Sequence, residues 1–298
     1  MADPGLRIGA QIPTRETYIR NLGAAPLLDF ARAAAAEGFD SLWAGDSLLA
    51  RPRAEPLTIL AAVAAAYPGV TIGTAALMGA LRQPLLAAHS IATLDQLAEG
   101  RLILGLGAGA PVPQTQHEMD AAGARFDRRV SRLMETVAIW RALWDPDRDP
   151  AQPLRFEGKH WSFERIESLP RPHRLGGPPL WLAGGGERAL RRAGESFDGW
   201  IPYPPSADDY SRGLATASQA AADAGRDPSE FTPALYVTVN LGEPEAAHAE
   251  LEHYVSEYYA MPLELMSTLQ AFYAGNAEGC VEWIRGYVDA GARHIVIR

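Results

Sequence analysis

Short apolar runs that end in Gly or Asp alternate with longer Ala- and Leu-rich stretches over the first hundred residues. The short runs, Leu6–Pro13, Ser41–Asp46, Val70–Leu77 and Arg101–Gly107, have strand length and carry β-branched or aromatic residues. The stretches between them, Pro26–Glu37, Ala54–Ala66 and Pro84–Glu99, have helix-forming composition. Ala87, Ile91, Leu94 and Ala98 recur at helical spacing and predict one buried face. Successive strand starts lie roughly 30–35 residues apart, the span of one βα unit. After Gly107 the rhythm stops: a loop over 108–125, a helix over Asp127–Trp144, then an irregular Pro-, Gly- and Arg-rich stretch to Pro179. That segment, about 108–179, reads as a loop-rich insertion over one end of the scaffold, too long for a single βα connection. The alternation resumes with strands at Leu180–Ala183, Gly199–Tyr203, Ala234–Leu241 and Arg293–Arg298. Helices at Glu187–Glu195, Ala207–Ala224, Glu245–Tyr259 and Ala277–Ala290 separate them. Eight strands alternating with helices predict an α/β fold, a single (β/α)8 barrel over residues 1–298 with the insertion between strands 4 and 5.

The formal charge of −9 comes from mixed signs with no basic stripe, which excludes nucleic acid as an expected partner. The sole cysteine, Cys280, cannot form an intrachain disulfide and reads as a small core residue of a protein kept in a reducing compartment. Neither a signal-peptide pattern nor an apolar run of spanning length occurs, so the expectation is a cytoplasmic protein with no membrane partner. The seven histidines are not spaced as metal ligands, and no Gly-x-Ser-x-Gly elbow supports serine-hydrolase chemistry.

In a barrel of this kind the chemistry sits at the C-terminal ends of the strands. Asp46, at the end of strand 2, either accepts a hydrogen bond from a ligand N–H or acts as a base, or else caps the following turn or pairs with Arg51 or Arg53. Gly105, Gly107 and Gly109 fall on one side of strand 4, where missing side chains admit a flat ligand or a neighbouring strand. Gly184-Gly185-Gly186 feeds directly into a helix beginning Glu187-Arg188, an anion cradle of free amides or simply a tight βα turn. Trp43 and Trp200 read as core. Arg82, Gln83, His117 and Glu118 lie near strand ends, and of these His117 is the candidate proton carrier.

Several of these segments together resemble the bacterial luciferase-like monooxygenase family. They are Gly38–Asp46, Leu94–Gly109, Phe126-Asp127-Arg128-Arg129 with Glu135, Gly184-Gly185-Gly186 with Ala193-Gly194, and Phe197-Asp198-Gly199-Trp200. The resemblance implies a TIM barrel, usually a homodimer, that holds FMN or the deazaflavin coenzyme F420 and in some members works with a separate reductase. It implies a ring across the ends of strands 2, 3 and 4 and a phosphate on Gly185 and Gly186; with the residue readings above, the cofactor-binding candidates are Asp46, Ala75, Ala76, Gly107, Gly109, Gly184, Gly185, Gly186, Glu187 and Arg188. In deazaflavin members a non-proline cis peptide bulges toward the ring, and it maps here onto Ala75-Ala76. Two positions depart from relatives: Ser47 stands where many have His, and Ala110 where sugar-phosphate dehydrogenases have Glu. The expectation is an oxidoreductase of monooxygenase or reductase type acting on a small, largely apolar organic substrate, with Asp46 and His117 as catalytic candidates. The competing expectations are a non-catalytic flavin carrier and a phosphate-binding barrel isomerase or lyase.

Overall fold

A computed structural model describes residues 5–298. The chain divides into two compact units, one made of the segment up to Gln11 with Trp181–Arg298, the other of Ile12–Leu180. Strand β1 (Arg7–Gln11) belongs to the first unit.

The Ile12–Leu180 unit contains α1 (Thr14–Ile19), α2 (Ala25–Ala36), β2 (Ser41–Ala44), α3 (Pro56–Ala66), β3 (Thr71–Leu77), α4 (Pro84–Leu97) and β4 (Leu102–Leu106). Proline at the first turn of α2, α3 and α4 starts each helix where its missing N–H costs nothing. β2, β3 and β4 are parallel and in register from Ser41↔Thr71 and Ile72↔Leu102 onward. Ala87, Ile91, Leu94 and Ala98 are all buried, as their spacing predicts. Gly73 in β3 is forced by packing, because a Cβ there would meet the Trp43 ring at 2.4 Å. The register of β3 on β4 slips between Thr74 and Leu77, where the Ala75-Ala76 peptide is cis.

The insertion is more ordered than its composition predicts. It holds α5 (Pro113–Ala121), the expected α6 (Arg129–Trp144), and an antiparallel hairpin of β5 (Leu154–Glu157) and β6 (Ser162–Ile166). Glu135 on α6 accepts the amides of Lys159, His160 and Trp161 at 2.7–2.9 Å and so pins the hairpin turn.

The other unit continues with β7 (Leu180–Leu182), α7 (Glu187–Ser196), β8 (Gly199–Trp200), α8 (Ala207–Asp223), β9 (Thr232–Leu241), α9 (Pro244–Tyr259), α10 (Leu263–Ser267), β10 (Phe272–Gly275), α11 (Ala277–Asp289) and β11 (His294–Ile297). Within it β7 pairs with β8, β8 with β9, β9 with β11 and β11 with β1, all parallel. β9 is long enough for two jobs. Ala234–Val237 pair with β11, and Thr238–Leu241 pair with β10. Beside the upper half, Leu251, Val255, Leu263 and Met266 form a small core of their own.

Eight parallel strands, β1 to β4 with β7, β8, β9 and β11, alternate with helices, and the chain is a (β/α)8 barrel. Trp43 and Trp200 are core residues and Cys280 is buried, as expected. No helix among the described residues is long and apolar enough to cross a membrane.

Candidate functional site

Asp46 follows β2 by two residues, and its side chain is only 8% exposed. Its Oδ2 accepts the Met78 amide at 2.8 Å and pairs with the Arg82 guanidinium. Arg82 in turn reaches Glu55 at 2.9 Å. The expected pairing of Asp46 with Arg51 or Arg53 is therefore corrected to Arg82, which the short turn Gly79–Leu81 after β3 folds back over the strand end. Burial works against the Arg82 charge, but the Asp46 and Glu55 carboxylates outweigh it and raise its pKa above the ordinary value. The Asp46 Oδ1 has no donor among the described residues and keeps accessible surface. One oxygen of this carboxylate is thus fixed and the other is open.

Next to it, the cis Ala75-Ala76 unit is bared by a glycine. A Cβ at Gly107 would lie 3.3 Å from the Ala76 Cβ, so a side chain at 107 would cover that backbone. Gly109 has a different reason to be glycine. Its φ is +85°, and a Cβ there would meet Thr115 at 2.6 Å and Met78 at 2.8 Å.

Ser47 is spoken for. Its hydroxyl donates to Glu118 at 2.8 Å and accepts the Arg51 amide at 2.8 Å. The same Glu118 oxygen accepts the amides of Leu48 and Leu49, so a buried carboxylate on α5 holds the turn after β2. His117, its neighbour on α5, faces the other way. It is exposed, has no partner among the described residues, and is not brought to the Asp46 cluster.

In the other unit, Gly184 has φ +135°, which a side chain rarely adopts, and its carbonyl accepts Trp200 Nε1 at 2.7 Å. At Gly185 and Gly186 an added Cβ would meet nothing within 4 Å, so these residues face open space. Gly186 caps α7 with no side-chain hydrogen bond, which leaves the first amides of the helix, including that of Glu187, without a side-chain acceptor. The Glu187 carboxylate is turned to Arg191 at 3.2 Å, while Arg188 is exposed and without a partner among the described residues. A groove of about 550 Å³ runs from Gly184 and Gly185 past Trp200 and Tyr203 to Leu269. The amides at the start of α7, the helix polarity and Arg188 suit an anion, and the two carboxylates that line the groove, Glu187 and Asp209, are paired with Arg191 and Arg212. Among the described residues no group of three or more His, Cys, Asp or Glu is placed to hold a metal.

Sequence reasoning found Asp46, the cis site and the glycine turn. It missed that Arg82 and Glu55 complete the Asp46 network, and that Glu118 rather than His117 is the inward residue of α5. Arg82 stands out in sequence only as a residue near a strand end; its partners, 27 and 36 positions away, carry no local signal.

The model of the luciferase-like monooxygenases matches residues 7–294, and the chain belongs to that family. It is 34% identical over 229 residues, 68% of this chain, to the phthiodiolone/phenolphthiodiolone dimycocerosates ketoreductase of Mycobacterium bovis. The chain spans 57% of that protein's length. It is 28% identical over 80% of its length to the F420-dependent glucose-6-phosphate dehydrogenase of Nocardia farcinica, of which it covers 76%. Among solved structures, an F420-dependent secondary alcohol dehydrogenase in complex with an F420-acetone adduct matches with a TM-score of 0.81 at 21% identity. That match covers 98% of this chain and 92% of the other. The oxygenating constituent of 3,6-diketocamphane monooxygenase from Pseudomonas putida, in complex with FMN, matches with a TM-score of 0.74 at 22% identity, over 98% of this chain and 91% of that one. These likenesses show the fold. The relatives and neighbours named here are oxidoreductases and monooxygenases, two of them F420-dependent and one in complex with FMN.

Proposed function

We propose that this chain uses coenzyme F420, rather than FMN, to move a hydride to or from the carbonyl or alcohol carbon of a small organic substrate. The observation that carries this reading is the buried Asp46 carboxylate, one oxygen fixed by the Met78 amide and Arg82 and the other open at the end of β2, in a chain 28% identical to an F420-dependent dehydrogenase. When bound, the deazaflavin supplies the hydride chemistry; the chain supplies binding and orientation. Taken by itself, the other unit offers the amides of Gly185, Gly186 and Glu187, with Arg188, to an anionic group such as a phosphate. The open Oδ1 of Asp46 would accept a ring N–H, and Arg82 and the Met78 amide hold that carboxylate in one orientation. The Ser47 hydroxyl is engaged, donating to Glu118 and accepting the Arg51 amide, and Ala110 has no titratable group, so neither position supplies the base or acid that oxidation of a sugar hydroxyl needs.

Equilibrium titration with F420 and with FMN, each oxidised and reduced, tests the reading. F420 should bind at least tenfold more tightly, and glucose 6-phosphate should not bleach the oxidised cofactor. A preference for FMN, or turnover of glucose 6-phosphate near an enzymatic ~10 s⁻¹, would overturn it.

A further inference from the structure

Arg298 follows directly on β11, and its backbone still pairs with β9, its amide donating to the Val237 carbonyl at 2.9 Å. Side chains on a strand alternate, so Arg298 shares a face with Val296 and His294. That face is the inner one. The His294 ring meets the Trp181 ring of β7 edge-on at 5.2 Å, and β7 is separated from β11 by β8 and β9, so the two rings meet only across the concave side of the sheet. The register pairs Val296 with Tyr236, which places Tyr236 and Thr238 on the same inner face. Arg298 therefore stands at the C-terminal end of the last strand and faces inward, where barrels of this kind bind what they act on.

Its guanidinium is held with unusual care. Nε and Nη2 donate to Thr238 Oγ1 at 3.2 and 2.8 Å, and Nη2 also donates to Tyr259 Oη at 2.9 Å. The Tyr259 hydroxyl passes its own proton to Gln270 Oε1 at 2.9 Å, which leaves its oxygen lone pairs for the arginine. The rings of Tyr258, Tyr259, Tyr254 and Tyr236 surround the Cζ at 4.4, 5.3, 5.4 and 5.6 Å. Yet no Asp or Glu side chain pairs with it among the described residues. Nη1 makes no hydrogen bond there, and it keeps accessible surface. Aromatic faces and neutral hydroxyls steady a cation without neutralising it. Among the described side chains this is a fixed cation without a carboxylate partner and with one donor edge open.

We propose that Arg298 is the substrate's anion receptor, and that the substrate is a small organic acid in which a carboxylate lies near the reacting carbonyl or alcohol carbon. The binding claim stands on the geometry of Arg298; the reaction rests on the proposed function above. In the reducing direction the carbonyl carbon gains the hydride. Its oxygen takes one proton from solvent, and the reduced deazaflavin is oxidised. This narrows the largely apolar substrate expected from sequence: the apolar body remains, with a charged end.

The probes are 2-oxohexanoate and its uncharged counterpart 2-heptanone, titrated by calorimetry, with tyrosine difference absorbance as a second readout. The parent should bind the acid at least tenfold more tightly than the ketone, and the margin should shrink as salt rises. Arg298→Met should lose about thirtyfold in affinity for the acid, the scale of one charged hydrogen bond, and change ketone binding less than twofold. If that variant does not fold, Thr238→Val, which frees the guanidinium without removing it, should still weaken acid binding several-fold. Equal affinity of the parent for acid and ketone, or unchanged acid binding in the variants, overturns the proposal. A parent that binds the acid but not F420 refutes the cofactor reading and leaves the receptor intact. One that binds F420 yet treats acid and ketone alike does the reverse.

Discussion

The mouth of β2 and β3 and the glycine turn before α7 prepare for a ligand in opposite ways. At the first, charges are paired before any ligand arrives: Asp46 to Arg82, Arg82 to Glu55, Glu118 to a row of amides. At the second, groups are left unpaired: the leading amides of α7 have no cap, and Gly185 and Gly186 look into open space. A ring that must sit in one orientation is served by a wall that cannot move. A phosphate is served by donors with nothing else to do. The difference predicts that damage at the first region shows in stability, and damage at the second in affinity alone.

The largest effect should come from Arg82→Met. It strips the partner from a carboxylate whose side chain is 8% exposed, and should cost about 3 kcal/mol of unfolding free energy, read by chemical denaturation. An unchanged denaturation midpoint would dissolve the contrast at one end. Gly185→Val tests the other end. A Cβ there meets no protein atom within 4 Å, so stability should hold while cofactor affinity falls by roughly thirty- to a hundredfold, about 2–3 kcal/mol. A variant that unfolds, or binds as the parent does, would show that the turn is not a cradle.

Glu55 refines the first region through pH. Burial would raise its pKa, but the Thr58 amide and hydroxyl and the Arg82 guanidinium overcome this and hold it below the ordinary carboxylate value. A lowered carboxylate pKa stabilises the fold above the unfolded pKa and loses that contribution as pH falls through the folded one. Glu55→Ala should therefore cost about 1 kcal/mol near neutrality, mostly as a lost helix cap. Its deficit against the parent should narrow below pH 4.5, the unfolded value. The smallest effect belongs to His117→Ala. An exposed imidazole without a partner should change turnover less than twofold, and a larger loss would restore it to the site.

The eight barrel strands were legible in the chain because each is a short apolar run, most of them closed by Gly, Asp or Pro, and tertiary packing then agrees with local preference. Segments were lost where that agreement fails. Helix α5 buries only Thr115, Glu118 and Met119, so the residue that docks it is a carboxylate and no apolar period announces it. The β5–β6 hairpin buries little on either face, and its strands read as polar loop. β10 is four residues long and exists because β9 overshoots the sheet, a fact of pairing that β10's own sequence does not carry. The site divides the same way. Glycines at 107, 185 and 186 and the acid at 46 stand out locally. Arg82 and Arg298 do not, since each is defined by partners far along the chain.

The contact between Trp43 and Gly73 also constrains which histories the barrel can have. The indole is tethered by its own N–H to Ser41 at 2.8 Å, and it fills the space that a first carbon at 73 would need. Enlarging 73 while Trp43 remains overpacks the sheet, at about 1–3 kcal/mol. Shrinking 43 first opens a cavity, a larger cost for a buried Trp, about 3–5 kcal/mol, but it makes room for the second step. The two positions are therefore epistatic, and a lineage that changes both must either cross one of these two valleys or cross none by changing them together.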